Sequence, residues 1–364
     1  AIKLSTNLLS LKQKTGQMII SGFEGTRLNS QTEKLISEQG IGGLILFERN
    51  FENPKQLKKL IEDLQGVTEK NSPPLFISVD QEGGRVSRLK EPLTKFPPIC
   101  CLGKANSDDL AYRFGFAMGN EMRAIGINMD YAPVLDVHSN PENPIIGKRA
   151  ISSDPEIVAK LGCQIIRGFK DAGVCPVGKH FPGHGDTSHD SHLTLPRVER
   201  TTESLEQVEL VPFERAFREG LDIIMTAHVV YPAWDKTNAA TFSTSILKDL
   251  LRDKMGFDGL VMSDDLEMQA VTQAPEEIPA LAINAGIDLL LICHDLSKVT
   301  QIQNSLIMGI EKGEIPTKRI DRSFEKILKA KQILPSLAER KINLNQILKE
   351  NKKLAEEMTA HLTK

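Results

Sequence analysis

Short apolar runs rich in β-branched residues recur along the chain, and a longer amphipathic stretch comes after most of them. The runs are QMIISGF (17–23), GGLILF (42–47), LFISVD (75–80), INMDYAP (127–133), PVGKHF (176–181), DIIMTAH (222–228), GLVMSDD (259–265) and DLLLIC (288–293). Between them lie helical patterns such as PKQLKKLIEDLQGV (54–67), DDLAYRFGFAMGNEMRAIG (108–126), DPEIVAKLGCQIIRGFKDAG (154–173) and SLEQVELVPFERAFREG (204–220). Near-continuous apolar strands separated by helices predict a parallel sheet covered on both faces. Eight such units predict an α/β fold, a single (β/α)8 TIM-type barrel over residues 1–335. An open doubly wound sheet would usually show a glycine-rich phosphate turn after an early strand, and neither GFEGT nor DQEGGRV has that spacing. Beyond residue 335 the chain is polar, glycine-free and helical in propensity, which predicts a helical tail over 336–364 with no chemistry of its own.

Polar residues cluster where the strands end. The third run ends in Asp80, the fifth reaches Lys179 and His180, the sixth ends in His228, and the seventh ends in Asp264 and Asp265. A polar residue at one strand end is usually a helix cap. Four such ends together predict a site at the C-terminal rim, where barrel enzymes gather side chains from different strands. Asp264 and Asp265 are adjacent on an extended segment, so one faces the mouth and the other is free to cap the next helix. A carboxylate at the rim can act as nucleophile toward a sugar anomeric carbon or as a metal ligand.

Composition narrows the function classes. The 364 residues are 40% hydrophobic and 26% charged, with a formal net charge of −3, so neither nucleic acid nor an anionic membrane surface is an expected partner. No apolar run approaches the ~20 residues needed to span a bilayer. The five cysteines follow no metal-ligand spacing, and the N-terminal AIKLSTNLLSLKQKTGQ lacks the layout of a signal peptide. Both observations predict a cytoplasmic protein, and a monomer is expected.

The segment KHFPGHGDTSHDSH (179–192) holds four histidines, two aspartates and two glycines. His180 and His184 have helical i, i+4 spacing, but Pro182, Gly183 and Gly185 make a helix improbable there, and H-E-x-x-H is absent. A solvated polar loop is the plain alternative. Position favours a catalytic loop, because the segment leaves directly from a strand end. In DSH, Asp190 can accept a hydrogen bond from His192, fixing its tautomer and raising its basicity. A histidine held this way can give and take a proton near neutral pH.

With these constellations in view, the chain resembles family 3 glycoside hydrolases, and within them the bacterial β-N-acetylhexosaminidase (NagZ-type) branch that trims N-acetylglucosamine from cell-wall fragments. The resemblance is carried in order by LSLKQKTGQMIISGFEGT, VDQEGGRVSRL, APVLDV, NPIIGKRAI, GVCPVGKHFPGHGDTSHDSH, DIIMTAHVVYPAWD, VMSDDLEM and AINAGIDLLLI. It implies a retaining exo-β-N-acetylglucosaminidase that acts on N-acetylglucosamine-containing glycans or muropeptides without cofactor or metal. Asp264 would be the nucleophile, His192 the acid/base and Asp190 its orienting partner. Asp80, Arg88, Arg149, Lys179 and His180 would hold the hydroxyls of the terminal sugar. Outside such motifs, each of these would read as a surface charge, a cap or a satisfied core histidine. Where family members often have RSF this chain has Arg149 followed by Ala150 and Ile151, so contacts after the arginine are expected to differ. The alternatives are a β-glucosidase of the same family, which usually draws its acid/base from an additional domain, and a metal-dependent barrel hydrolase using the same histidines.

Overall fold

In the computed structural model, described over residues 10–68, 72–187, 195–334 and 343–363, each of the eight apolar runs contributes a barrel strand. These are β1 (Ile19–Ser21), β2 (Gly43–Leu46), β3 (Phe76–Val79), β4 (Met129–Asp130), β5 in two pieces (Cys175–Pro176 and Gly178–Phe181), β6 (Ile223–Thr226), β7 (Leu260–Met262) and β8 (Leu290–Ile292). Neighbours pair in parallel and in chain order, from Ile20 opposite Gly43 to Met262 opposite Met225. The circle closes where β8 pairs with β1, Ile19 opposite Leu290, and where Met262 bridges Leu289. The protein is a (β/α)8 barrel, as the alternation of strand and helix patterns predicts. Ile19, Ile20, Leu44, Ile45, Ile77 and Ile224 are completely buried, as strands covered on both faces require.

Three helices match their predicted patterns closely: Pro54–Gly66, Asp108–Ile125 and Pro155–Ala172. Asn53, Ser107 and Asp154 cap their N-termini with side-chain oxygens. The single helix expected over 204–220 is instead two, Thr202–Gln207 and Val211–Arg218. Pro212 suits the first turn of a new helix, where its missing N–H costs nothing, and Glu209 turns inward between the two. The polar C-terminal stretch forms the helix Leu344–Thr359, docked on Asp108–Ile125. Asn351 anchors it by donating to Ala117 O (3.0 Å) and Glu121 Oε2 (2.8 Å). No helix among the described residues is long and apolar enough to cross a membrane.

Candidate active site

All eight strands point their C-terminal ends to one rim, so residues far apart in sequence meet there. Asp80 follows β3, and a short hairpin, Gln81–Gly83 with Val86–Ser87, then carries Glu82. Arg149 ends the 3₁₀ turn Gly147–Arg149, on the loop beyond β4. Lys179 and His180 both lie in β5, where the pairing with β6 slips between Lys179 and Phe181. A bulge of this kind re-aims side chains that would otherwise alternate between faces.

Glu82 joins these elements. Its carboxylate accepts two bonds from Arg149, from Nε (2.9 Å) and Nη2 (2.8 Å), and its Oε1 lies 2.6 Å from Lys179 Nζ. Lys179 also donates to Asp80 Oδ1 at 2.9 Å. Two cations and two anions therefore lock together, with Lys179 and Glu82 buried and Arg149 and Asp80 partly open to the mouth. Burial alone would raise the Glu82 carboxyl, but Lys179 and Arg149 outweigh it and hold the group at about 2. Burial likewise opposes the Lys179 ammonium, and Asp80 and Glu82 overcome it, raising its pKa. Asp130, fully buried beneath, is the opposite case. Its Oδ1 accepts from Gln81 N at 3.0 Å, its Oδ2 has no partner among the described residues, and burial pushes its pKa well up.

On the other side of β5, His180 Nδ1 lies 2.7 Å from Asp136 Oδ2, and its Nε2 lies 4.0 Å from Asp264 Oδ2. Asp264 stands two residues past β7, its side chain 22% exposed, with Oδ1 accepting from Asp265 N at 2.8 Å. Burial works to raise its pKa, but His180, then His228, the Asp265 N–H and Lys179 hold it below the usual carboxylate range. The carboxylate is ionised at neutral pH. Asp265 turns away, accepting from Glu267 N (3.1 Å) and Cys293 N (3.3 Å) and so tying the end of β7 to the end of β8. His228 is engaged at both ring nitrogens: Nε2 donates to the Asp265 carbonyl (2.9 Å) and Nδ1 lies 2.7 Å from Thr241 Oγ1. It holds the Asp264–Asp265 turn in place.

Asp80, Lys179, His180 and Asp264 thus come together as the rim pattern predicts, and Arg149, which the family resemblance adds, joins them through Glu82. Arg88 stands apart. Its guanidinium lies 5.7 Å from the centre of the Phe47 ring, and its buried Nε has no hydrogen-bond partner among the described residues. Asp190 and His192 lie outside the described residues. The chain leading to them is held firmly as far as Thr187. Asn143 Nδ2 donates to His184 O and Gly185 O (both 2.9 Å) and to Thr187 Oγ1 (3.1 Å), and Arg200 grips Asp186 with two bonds. A side chain at Gly185 would come within 1.6 Å of Val137 O, so glycine alone fits. His184 is buried, and burial followed by the charge of His180 lowers its pKa to about 4, leaving the ring neutral at physiological pH. Among the described residues no group of three or more His, Cys, Asp or Glu is arranged to hold a metal ion.

Two members of this site escape a reading of strand ends. Glu82 lies two residues after Asp80, a spacing that puts both on one side of an extended segment. Asp136 is a lone charge inside the apolar APVLDV, and a carboxylate in such a run must have a buried partner.

Residues 10–330 match the sequence profile of the glycosyl hydrolase family 3 N terminal domain. A β-hexosaminidase of Alkalilimnicola ehrlichii is 41% identical over 297 residues, 79% of this chain and 84% of that protein. Among solved structures, a family 3 β-N-acetylglucosaminidase from Paenibacillus sp. str. FPU-7 is 41% identical with a TM-score of 0.93, covering 97% of this chain and 69% of that one. NagZ from Neisseria gonorrhoeae is 32% identical with a TM-score of 0.78, covering 93% and 97% respectively. The rim site and these similarities agree: the chain belongs to glycosyl hydrolase family 3, alongside its β-hexosaminidases, and is a glycoside hydrolase.

Proposed function

We propose that the protein is a retaining exo-β-N-acetylglucosaminidase that removes terminal N-acetylglucosamine through a covalent glycosyl-enzyme intermediate. The observation that carries this reading is an ionised Asp264 at the barrel mouth beside the Asp80–Lys179–Glu82–Arg149 cluster. A neutral sugar is oriented by charge-assisted hydrogen bonds, and a rigid lattice of paired cations and anions offers several. Asp80, Arg88, Arg149, Lys179 and His180 hold its hydroxyls in this reading. The NagZ of Neisseria gonorrhoeae, crystallised with N-trifluoroacetyl-D-glucosamine, supports the choice of sugar.

In the first step Asp264 attacks the anomeric carbon as the glycosidic C–O bond breaks, and His192, oriented by Asp190, protonates the leaving oxygen. In the second, His192 takes a proton from water, which attacks the same carbon and releases Asp264. The developing oxocarbenium charge is stabilised by the carboxylate. Two inversions give net retention. The natural substrate in this reading is a muropeptide fragment, and the five free cysteines fit a reducing cytoplasm.

The test is hydrolysis of an aryl N-acetyl-β-D-glucosaminide beside the matching β-glucoside, with NMR detection of the first-formed anomer. Preference for the N-acetyl sugar with the β-anomer released first is expected, and Asp264→Ala should abolish turnover while remaining folded. Preference for the glucoside would reassign the substrate, and first release of the α-anomer would rule out the covalent intermediate.

A further inference from the structure

Asp136 is completely buried, yet its carboxyl is held at about 2 because the His180 ring and, after it, His184 with its backbone N–H outweigh burial. Among the described residues no lysine or arginine forms an ion pair with it, so its partners are the His180 ring and the backbone N–H groups of His180 (3.1 Å) and His184 (2.7 Å). A carboxylate so far from water is costly unless every lone pair is used. Here all three of its bonds go to one short segment of β5 and the turn after it.

We propose that Asp136 is a positioning residue, which fixes the tautomer and tilt of His180 and thereby the face of the site against which Asp264 reacts. This rests on the reading of Asp264 as nucleophile. An ionised carboxylate only accepts, so the 2.7 Å contact requires the hydrogen on Nδ1 of His180. Nε2 is then the atom turned to the mouth, and it faces Asp264 Oδ2 across 4.0 Å. That gap is too wide for a direct hydrogen bond and wide enough for a substrate oxygen or nitrogen to touch both groups. The edge of the His184 ring packs against His180, the two centroids 5.7 Å apart, and closes off rotation on that side. The imidazole is thus held from behind by a carboxylate and from the side by a neutral ring.

Asp136→Asn separates positioning from mere packing. The amide oxygen can still accept the backbone N–H groups, whereas its NH₂ would meet Nδ1 donor to donor and drive the ring into the other tautomer. The expected result is a folded protein whose kcat/KM on an aryl N-acetylglucosaminide falls about 10- to 100-fold, the usual effect of removing a carboxylate that orients a functional histidine. In a double-mutant cycle, Asp136→Asn combined with His180→Gln should be no slower than His180→Gln alone. Activity of Asp136→Asn within twofold of wild type, or fully multiplicative losses in the cycle, would overturn the inference. Nitrogen-15 NMR of the wild-type protein decides independently of any variant's folding. A hydrogen on Nδ1 of His180 is required, and its absence refutes the assignment. An active Asp264→Ala enzyme would instead remove the nucleophile reading itself, a result distinct from either of these.

Discussion

Replacing Glu82 by glutamine keeps the shape of the side chain and removes the charge on which Lys179 and Arg149 converge. Holding the Glu82 carboxyl at about 2 instead of 4.5 corresponds to about 3 kcal/mol of stability at neutral pH, since each pH unit is worth about 1.4 kcal/mol. The group is 3% exposed, so solvent does little to weaken it. Removing one partner from a buried ion pair costs about 3–5 kcal/mol by general experience, because the other charge is left uncompensated. The new amide would also present N–H groups to Lys179 or Arg149, donor against donor. Glu82→Gln is therefore expected to lose about 3–5 kcal/mol in urea unfolding at pH 7. The folded pKa is depressed, so the stabilisation is complete above about pH 4.5 and fades as the pH falls toward 2. The gap between wild type and variant should accordingly narrow as unfolding is repeated at lower pH. A loss below about 1 kcal/mol at pH 7, or a gap that does not shrink in acid, would refute the view that Glu82 is the counter-charge binding this cluster together.

Two further outcomes are expected. His192→Ala should slow substrates with poor leaving groups far more than activated aryl glycosides, which need little protonation; equal losses on both would mean that His192 is not the acid. At the opposite end of the barrel, Lys331 is 1% exposed, donates to Gln17 Oε1 (2.8 Å) and Gly42 O (2.6 Å), and burial lowers its pKa from 10.5 to about 7. The unfolded chain holds that proton more tightly, so wild-type stability should rise relative to Lys331→Met by several kcal/mol between about pH 7 and pH 10. Parallel unfolding curves for the two proteins across that range would contradict it.

The barrel was legible in the sequence because its strands are buried on both faces, which leaves continuous apolar runs that no helix between them resembles. The rim residues Asp80, Lys179, His180 and Asp264 were legible for the same reason: each interrupts such a run at its C-terminal end. Local rules also placed the helices, and the split over 204–220 was written in Pro212, although the spacing of apolar residues alone runs straight through it. The sequence by itself does not determine which buried charge meets which. Glu82 pairs with Arg149 and Lys179, and Asp136 pairs with His180, because closing the barrel brings the loops after β3 and β4 against β5. Arg88 shares a motif with Asp80 but lies beside Phe47, and Lys331 is buried by the floor of the barrel, where Gln17 and Gly42 receive it. The physical reason is one of range. Apolar periodicity is read between neighbours a few residues apart, whereas the cost of a buried charge is settled by partners that only the closed tertiary structure brings within about 3 Å.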